Sequence, residues 1–288
     1  VAAHGALMNG SKMIFLSKFD STAVIRQLPR CTIFMGVPTY YVRLLSDEGF
    51  NREMCKKIRL FVSGSAPLLT ETFEHFKQLT GHTILERYGM SETGMLTSNP
   101  YEGVRKAGTV GPALPDVSVR IVNAQSAECA VDEIGDIQVS GPNVFQGYWQ
   151  LPEKTAEEFT EEGYFKTGDV GRVDSEGYIS IVGRSKDLII SGGYNVYPKE
   201  IESVIDELPG VLESAVIGIA HPDFGEAVTA VIVPREGSQL SEADIIATLK
   251  EKIANFKVPK RVYVIHELPR NTMGKVQKNL LREQFSTH

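Results

Sequence analysis

The stretch that most limits what this chain can fold into runs from Gly183 to Glu202, where two textures of sequence meet. Upstream are short alternating apolar runs broken by glycine. Downstream, Pro198 stands where a first helical turn accepts it, and Ile201, Val204, Ile205 and Leu208 recur on one helical stripe. A second unit therefore begins here, and any fold must place a joint between the two. Arg184, Lys186 and Asp187 set three charges beside Ser191-Gly192-Gly193, whose glycines admit backbone angles that other residues avoid. The stretch reads either as a hinge bearing functional groups or as a solvated linker.

A chain of 288 residues has room for one domain of ordinary size and a smaller one, and a hydrophobic content of 42% is enough to fill two cores. The formal net charge of −6 excludes an extended nucleic-acid face, because neutralising phosphates requires a basic surface. No apolar run reaches the length of a membrane span. Cys31, Cys55 and Cys129 are odd in number and carry no metal or disulfide spacing, which points to a reducing compartment and a cytoplasmic protein. The chain starts at Val1 without an initiator methionine or a targeting pattern, so a fragment is expected.

In chain order, residues 1–107 alternate strand and helix. Apolar runs at Met13–Leu16, Cys31–Met35, Ile58–Val62 and Thr83–Leu85 read as strands. Helices are expected at Ser21–Leu28, after Val37-Pro38-Thr39, and from a Thr70 cap to a stop at Gly81. This predicts part of a parallel α/β subdomain, whose ligands sit at the carboxyl ends of the strands. Residues 108–183 change to glycine-punctuated strands at Val117–Val122, Gly135–Val139 and Tyr178–Val182, with a hairpin turn at Asp174-Ser175-Glu176-Gly177. That texture predicts an antiparallel, β-barrel-like subdomain. Residues 184–288 then read as a small, mobile α+β C-terminal domain.

The segment Glu86-Arg87-Tyr88-Gly89-Met90-Ser91-Glu92-Thr93-Gly94 packs a ring, a hydroxyl and a carboxylate close together. Such a set suits a nucleotide: a face to stack on, a donor to phosphate, an oxygen ligand for magnesium. Taken alone it also suits a solvated polar loop.

Four other runs occur with it in a fixed order: Ser63-Gly64-Ser65-Ala66-Pro67, Tyr164–Asp169, Gly183–Asp187 and Pro269–Lys275. With these five motifs the chain resembles the adenylate-forming superfamily, which contains acyl-CoA synthetases, peptide-synthetase adenylation domains and firefly luciferase. Within it, Ser63–Leu69, Glu86–Met90, Thr97–Gly103 and Leu268–Asn279 resemble malonyl-CoA synthetases. The resemblance implies a two-step reaction using ATP, Mg2+ and coenzyme A, in which a carboxylate becomes an acyl-adenylate and then a thioester. It assigns Gly64, Ser65 and Ala66 to one side of the adenine, and Tyr88, followed by Gly89, to the other. Ser91 falls to the α-phosphate and Glu92 to magnesium. It gives Asp169 and Arg184 the ribose hydroxyls, Lys275 the bridge between substrate carboxylate and α-phosphate, Lys186 the hinge, and Gly193 the passage for pantetheine. Lys275 has a plainer reading as a solvated loop lysine, and Asp169 as a turn residue. His221–Glu226 is read as scaffolding.

The superfamily's phosphate-gripping loop, a Ser/Thr/Gly-rich run followed by lysine, does not occur in the sequence. The expectation drawn is that the chain is the C-terminal portion of a longer enzyme, missing the N-terminal part of its own large domain and inactive alone in adenylation. For the acyl substrate, Arg43 is the candidate partner of a dicarboxylate's distal carboxylate, with Met90 and Met95 lining the pocket. The competing reading pairs Arg43 with Asp47 at helical spacing. Alternatives for the activity are a medium-chain, long-chain or aromatic acyl-CoA ligase and a carrier-loading adenylation domain.

Overall fold

A computed structural model describes residues 2–271 and 275–286. Contacts divide the chain into two units: residues up to Thr167 together with Gly171–Ile181, and Gly168–Val170 together with the chain from Val182 onward.

The first unit opens with α1 (Ala2–Met8) and α2 (Ser21–Gln27), the latter capped by the Asp20 carboxylate on the Ala23 N–H. Then come β1 (Ile33–Gly36), α3 (Pro38–Leu45), α4 (Arg52–Cys55), β2 (Leu60–Ser63), α5 (Thr70–Thr80), β3 (Ile84–Met90) and β4 (Gly94–Ser98). The sheet order is β1-β2-β3-β4, with β1, β2 and β3 parallel and β4 antiparallel to β3. Helices α3 and α5 seal it: Tyr41, Leu44, Phe73 and Phe76 pack with Phe61 and Ile84 in one buried cluster. Phe76 meets Tyr41 and Phe61 edge-on, with ring centroids 5.4 and 4.8 Å away. Such pairs add to the area they bury. Met13–Leu16 is not a strand; the run is exposed, with Phe15 80% accessible. The parallel portion thus has three strands, and Thr70 is the first helical residue of α5, one place inside the predicted cap.

The second sheet is built from β5 (Ser118–Val122), β6 (Gly135–Ser140), β7 (Phe165–Val173) and β8 (Ile179–Arg184), with α6 (Pro152–Glu158) between β6 and β7. Its order is β5-β6-β7-β8, and β5 does not return to β8. The barrel-like expectation is corrected accordingly: this is an open sheet. That order leaves β5 and β8 as its two edge strands. Instead Ile121, Ile137, Val139 and Phe165 pack on Leu96 from the first sheet. The sequence reading missed β7 because Gly168 and Gly171 interrupt its apolar pattern. A Cβ at Gly171 would lie 2.6 Å from the Ser180 carbonyl oxygen, so close strand packing is what requires that glycine.

The C-terminal unit runs β9 (Ile189–Ser191), β10 (Tyr194–Val196), α7 (Pro198–Asp206), β11 (Val211–His221), β12 (Gly225–Pro234), α8 (Glu242–Lys252), β13 (Arg261–Val264) and α9 (Lys278–Phe285). Its sheet is ordered β10-β9-β12-β11, with β13 parallel to β12. Alternation along β11 and β12 sorts the side chains into two layers. Val216, Val228, Ala230 and Ile232 meet Ile201 and Ile205 of α7 and Ile245 and Leu249 of α8. Ala215, Ile217, Val231 and Val233 meet Leu281 and Phe285 of α9. Among the described residues no helix is long and apolar enough to cross a membrane, and all three cysteines are free.

Candidate active site

The segment read as a loop from Glu86 to Gly94 is instead the end of β3, a three-residue turn and the start of β4. Register shifts between Tyr88 and Gly89. A Cβ at Gly89 would fall 2.0 Å from the Gly94 carbonyl oxygen, so this irregularity admits only glycine. The turn carries Ser91, exposed, and Glu92, half-buried. It is gripped by residues 143–148. Asn143 donates through Nδ2 to the carbonyls of Thr93 (2.7 Å) and Met95 (3.1 Å). The Phe145 N–H donates to the Glu92 carbonyl at 2.7 Å. The Tyr148 hydroxyl reaches Glu92 Oε1 at 3.3 Å. Burial, with Glu92 nearby, holds the Tyr148 phenol above its ordinary range, so it stays a donor. Asn143 and Tyr148 were not found from sequence, because bracing by a segment fifty residues away leaves no local pattern.

Beside this turn, the segment Gly64-Ser65-Ala66-Pro67 leaves the end of β2 with Ser65, Ala66 and Pro67 exposed. A Cβ at Gly64 would sit 3.3 Å from the Arg87 carbonyl oxygen, and Ser65 adopts φ +70°. The two predicted nucleotide segments therefore leave adjacent parallel strands, with Ser63 opposite Glu86 in the register.

Two charges inside β3 had been given no role. Arg87 sends Nη1 to the Met95 sulfur at 2.9 Å, and its buried Nε has no hydrogen-bond partner among the described residues. Burial lowers its pKa. Glu86 is buried, and desolvation pushes its carboxyl up to about 8 against the opposing hydrogen bonds from the Leu68 and Gly108 backbones. The available signal was a charged pair continuing an apolar strand that sequence reading had ended at Leu85. Arg43 lies exposed on α3, its guanidinium 5.9 Å from the Phe19 ring centroid. The Arg43–Asp47 ion pair does not form. Asp47 instead accepts the Ser21 and Thr22 hydroxyls and the Gly49 N–H, which lower its pKa.

In the C-terminal unit, Arg184 Nε contacts Asp169 Oδ1 at 2.8 Å, the carboxylate being buried, so the two residues assigned to ribose are adjacent. Lys186 lies exposed in a single 3-10 turn, Ser185–Asp187, and Asp187 is held by Arg282 of α9 at 2.8 Å. Gly193 has φ +81° in the turn between β9 and β10, with no atom within 4 Å of where its Cβ would stand. Lys275 is exposed. Its N–H donates to Asn271 Oδ1 and its carbonyl accepts the Asn271 N–H, both at 2.9 Å. An Arg270–Glu213 ion pair fixes the base of this segment, while Thr272–Gly274 of the motif lie outside the described residues.

A hydroxyl and a carboxylate braced on a hairpin, beside a segment leaving the neighbouring parallel strand, make a site suited to a nucleotide's base and phosphates. The AMP-binding enzyme profile matches residues 1–149 and the AMP-binding enzyme C-terminal domain profile residues 200–275. The chain belongs to the AMP-binding enzyme family. Among its relatives, malonate–CoA ligase of Arabidopsis thaliana is 44% identical over 273 residues, an alignment covering 88% of this chain and 44% of the relative. The mitochondrial malonate–CoA ligase ACSF3 of Homo sapiens is 39% identical, over 90% of this chain and 50% of the relative. The crystal structure of ATP-bound MatB from Rhodopseudomonas palustris superposes with a TM-score of 0.96 at 53% identity, covering 99% of this chain and 57% of the MatB chain. The chain thus spans about half the length of the curated relatives it matches.

These matches correct the expectation that the chain is only a C-terminal portion, missing the N-terminal part of its own large domain. The AMP-binding profile starts at residue 1, and the MatB fold accounts for 99% of the chain.

Proposed function

We propose that the protein is an ATP-dependent, AMP-forming carboxylate–CoA ligase acting on malonate. The observation that carries the proposal is the braced Tyr88–Glu92 hairpin, in a chain whose solved relative was crystallised with ATP. In this reading Tyr88 and Gly89 face one side of the adenine and Gly64, Ser65 and Ala66 the other. Ser91 donates to the α-phosphate. Asp169 accepts from the ribose hydroxyls, with Arg184 holding its carboxylate in place. A substrate carboxylate oxygen attacks the α-phosphorus and pyrophosphate leaves. Lys275 offsets the negative charge developing in that transfer. The thiol of CoA, admitted past Gly193, then attacks the acyl carbon and AMP leaves. Rotation of residues 184–288 about Lys186 exchanges the two half-reactions.

Glu92 suits a magnesium ion, which takes one or two protein carboxylates and fills its remaining positions with water and phosphate oxygens. Its single hydrogen bond from Tyr148 leaves the second carboxylate oxygen available. When bound, the ion would neutralise phosphate charge.

For the distal carboxylate of malonate, Arg87 is a half-buried cation whose buried Nε has no hydrogen-bond partner among the described residues, adjoining Met95. Arg43 is the exposed one, unpaired with Asp47. Met90 and Met95 line the acyl side, and a cytoplasmic setting belongs to the same proposal. Pyrophosphate release measured with malonate, methylmalonate, acetate, octanoate and benzoate tests it. Malonate is expected to be fastest, and a preference for octanoate rejects the dicarboxylate assignment.

A further inference from the structure

The segment that carries Lys275 is anchored on two arms, both within the C-terminal unit. Arg270 bridges Val276, the Gln277 N–H donates to the Pro269 carbonyl at 2.8 Å, and α9 begins at Lys278. One arm is tied by the half-buried Arg270–Glu213 pair. The other is tied inside the protein: Lys278 Nζ lies 2.6 Å from Glu202 Oε1, and the two side chains are 17% and 8% exposed. Glu202 belongs to α7, one turn before Asp206. Both carboxyls face β11, the last strand in its sheet order. Asp206 accepts the Ser214 hydroxyl at 2.7 Å, and Glu202 Oε1 accepts the Val216 N–H at 2.9 Å. A strand at the end of a sheet presents N–H groups that need a partner from outside the sheet, so this bond fixes Glu202 in place. Lys199 lies further off, 3.8 Å from Oε2.

We propose that Glu202, through its buried ion pair with Lys278, is a positioning residue for adenylation, setting where the hairpin arm presents Lys275. The proposal deepens the ligase reading and depends on it for the role of Lys275. Lys278 stands three residues from Lys275, a span of at most about 10 Å of chain. It is also the first residue of α9, where a cation opposes the helix dipole, and it is largely buried. Neither circumstance favours lysine there. A buried ion pair also adds little net stability over apolar side chains of like size, because each charge gives up its hydration. What the pair supplies here is a fixed distance from α7 and β11 to the arm that leads to Lys275. Lys275 is itself exposed, so its placement is inherited from that arm.

The competing reading is a pair that only holds α9 on the sheet. Leu281 and Phe285 already do this, through their buried cluster with Ala215, Ile217, Val231 and Val233. The charged pair acts instead at the end of α9 that adjoins Lys275.

The test compares the two half-reactions in Lys278→Met and Glu202→Gln, each of which removes one charge and keeps most of the volume. Pyrophosphate release at saturating ATP, with the fastest of the five acids, should fall about ten- to a hundredfold, the scale of a small misplacement of a catalytic group. The KM for ATP and thioester formation from supplied acyl-adenylate should stay as in wild type. The double variant should be no worse than the more affected single one, because the residues act as a pair. Lys278→Arg, which keeps the charge, should recover most of the rate. In a Lys275→Ala background, Lys278→Met should cost nothing more. Unchanged pyrophosphate release, equal loss in both half-reactions, or a further loss of the same size on top of Lys275→Ala each overturns the proposal. Should Lys278→Met and Glu202→Gln not fold, Glu202→Asp withdraws the charge by one methylene and should still slow pyrophosphate release selectively; an even response of the two half-reactions overturns the proposal. Wild type that releases no pyrophosphate with any of the acids rejects the ligase reading, and the proposal with it. Active wild type with variants that keep both half-reactions rejects the proposal alone.

Discussion

The hairpin turn at Ser91–Thr93 and the segment around Lys275 each carry a side chain assigned to the reacting phosphate, yet they are held differently. The turn is gripped by Asn143, the Phe145 N–H and Tyr148, at the end of a strand that is half-buried from Arg87 to Met90 and buried at Ile84–Glu86. Among the described residues Lys275 is held at its backbone, through the exchange with Asn271 above the Arg270–Glu213 pair, and its side chain is exposed. The contrast fits a site in which one part is prebuilt and the other supplies a charge needed in a single step. Preorganised donors stabilise a transition state because they need no rearrangement when it forms. A cation required for adenylation alone can be carried on a side chain that is not locked in place.

The largest expected effect breaks the comparison at its exposed side. Lys275→Ala should lower pyrophosphate release by about a hundred- to a thousandfold, the range for removing one charge-stabilising donor. Thioester formation from supplied acyl-adenylate should be spared. Equal loss in both half-reactions would mean that Lys275 is as permanently engaged as the hairpin, and the contrast would fail.

Next in size is the half-buried cation. Arg87→Met should reduce malonate turnover by about a hundredfold, since one charge-assisted bidentate contact to a carboxylate is lost from a desolvated site. Turnover of butyrate should hold or rise. Arg43→Met, at the exposed position, is the matched control. If it alone abolishes malonate turnover, the distal carboxylate is met on α3 and not on β3.

A smaller effect is expected within the hairpin's own grip. Asn143→Ala removes two hydrogen bonds to the strand end and leaves the carbonyls of Thr93 and Met95 to be satisfied otherwise. A cost of about 1–2 kcal/mol follows. It should appear as a severalfold rise in the KM for ATP, with thioester formation from acyl-adenylate little changed. A kcat effect equal in both half-reactions would show that residues 143–148 do not serve the hairpin specifically.

How much of this was legible beforehand differs between the same two regions. The C-terminal unit announced itself: the stripe Ile201, Val204, Ile205 and Leu208 needs only helical periodicity, and Ile201 and Ile205 are fully buried. The five ordered motifs carried the family. The bracing of the hairpin was not legible, because Asn143 and Tyr148 act through tertiary hydrogen bonds across about fifty residues of sequence. Glu86 and Arg87 were overlooked for a different reason. Apolar patterning ended β3 at Leu85, and two charges in succession read as loop, whereas burial in the first sheet overrides that pattern. The barrel-like expectation failed because alternation along a strand reports one covered face and says nothing of whether a sheet closes.

The last effect is on stability and not on turnover, and compares one buried carboxyl from each unit. Among the described residues, each unit holds one carboxyl displaced upward mainly by burial: Glu86 to about 8, and Asp206 to about 6, the latter bonded to the Ser214 hydroxyl at 2.7 Å. In both, the folded state holds its proton more tightly than the unfolded chain. The stability this confers is complete below the unfolded pKa and is lost as pH rises through the folded one. For Glu86 the window runs from the ordinary value of 4.5 to about 8, and for Asp206 from 3.8 to about 6. Glu86→Gln and Asp206→Asn remove the titration, so each variant should gain on wild type as pH rises through its window. With one pKa unit equivalent to ~1.4 kcal/mol, the gain is roughly 3–4 kcal/mol for Glu86 and, for the less enclosed Asp206, roughly 1–2 kcal/mol. Urea denaturation from pH 4 to pH 9 measures both. Asp206→Asn should leave the KM for ATP as in wild type, because the carboxyl is bonded to Ser214 within the C-terminal unit. A variant whose stability follows wild type across its whole window would show that burial does not hold that carboxyl's proton in the folded state.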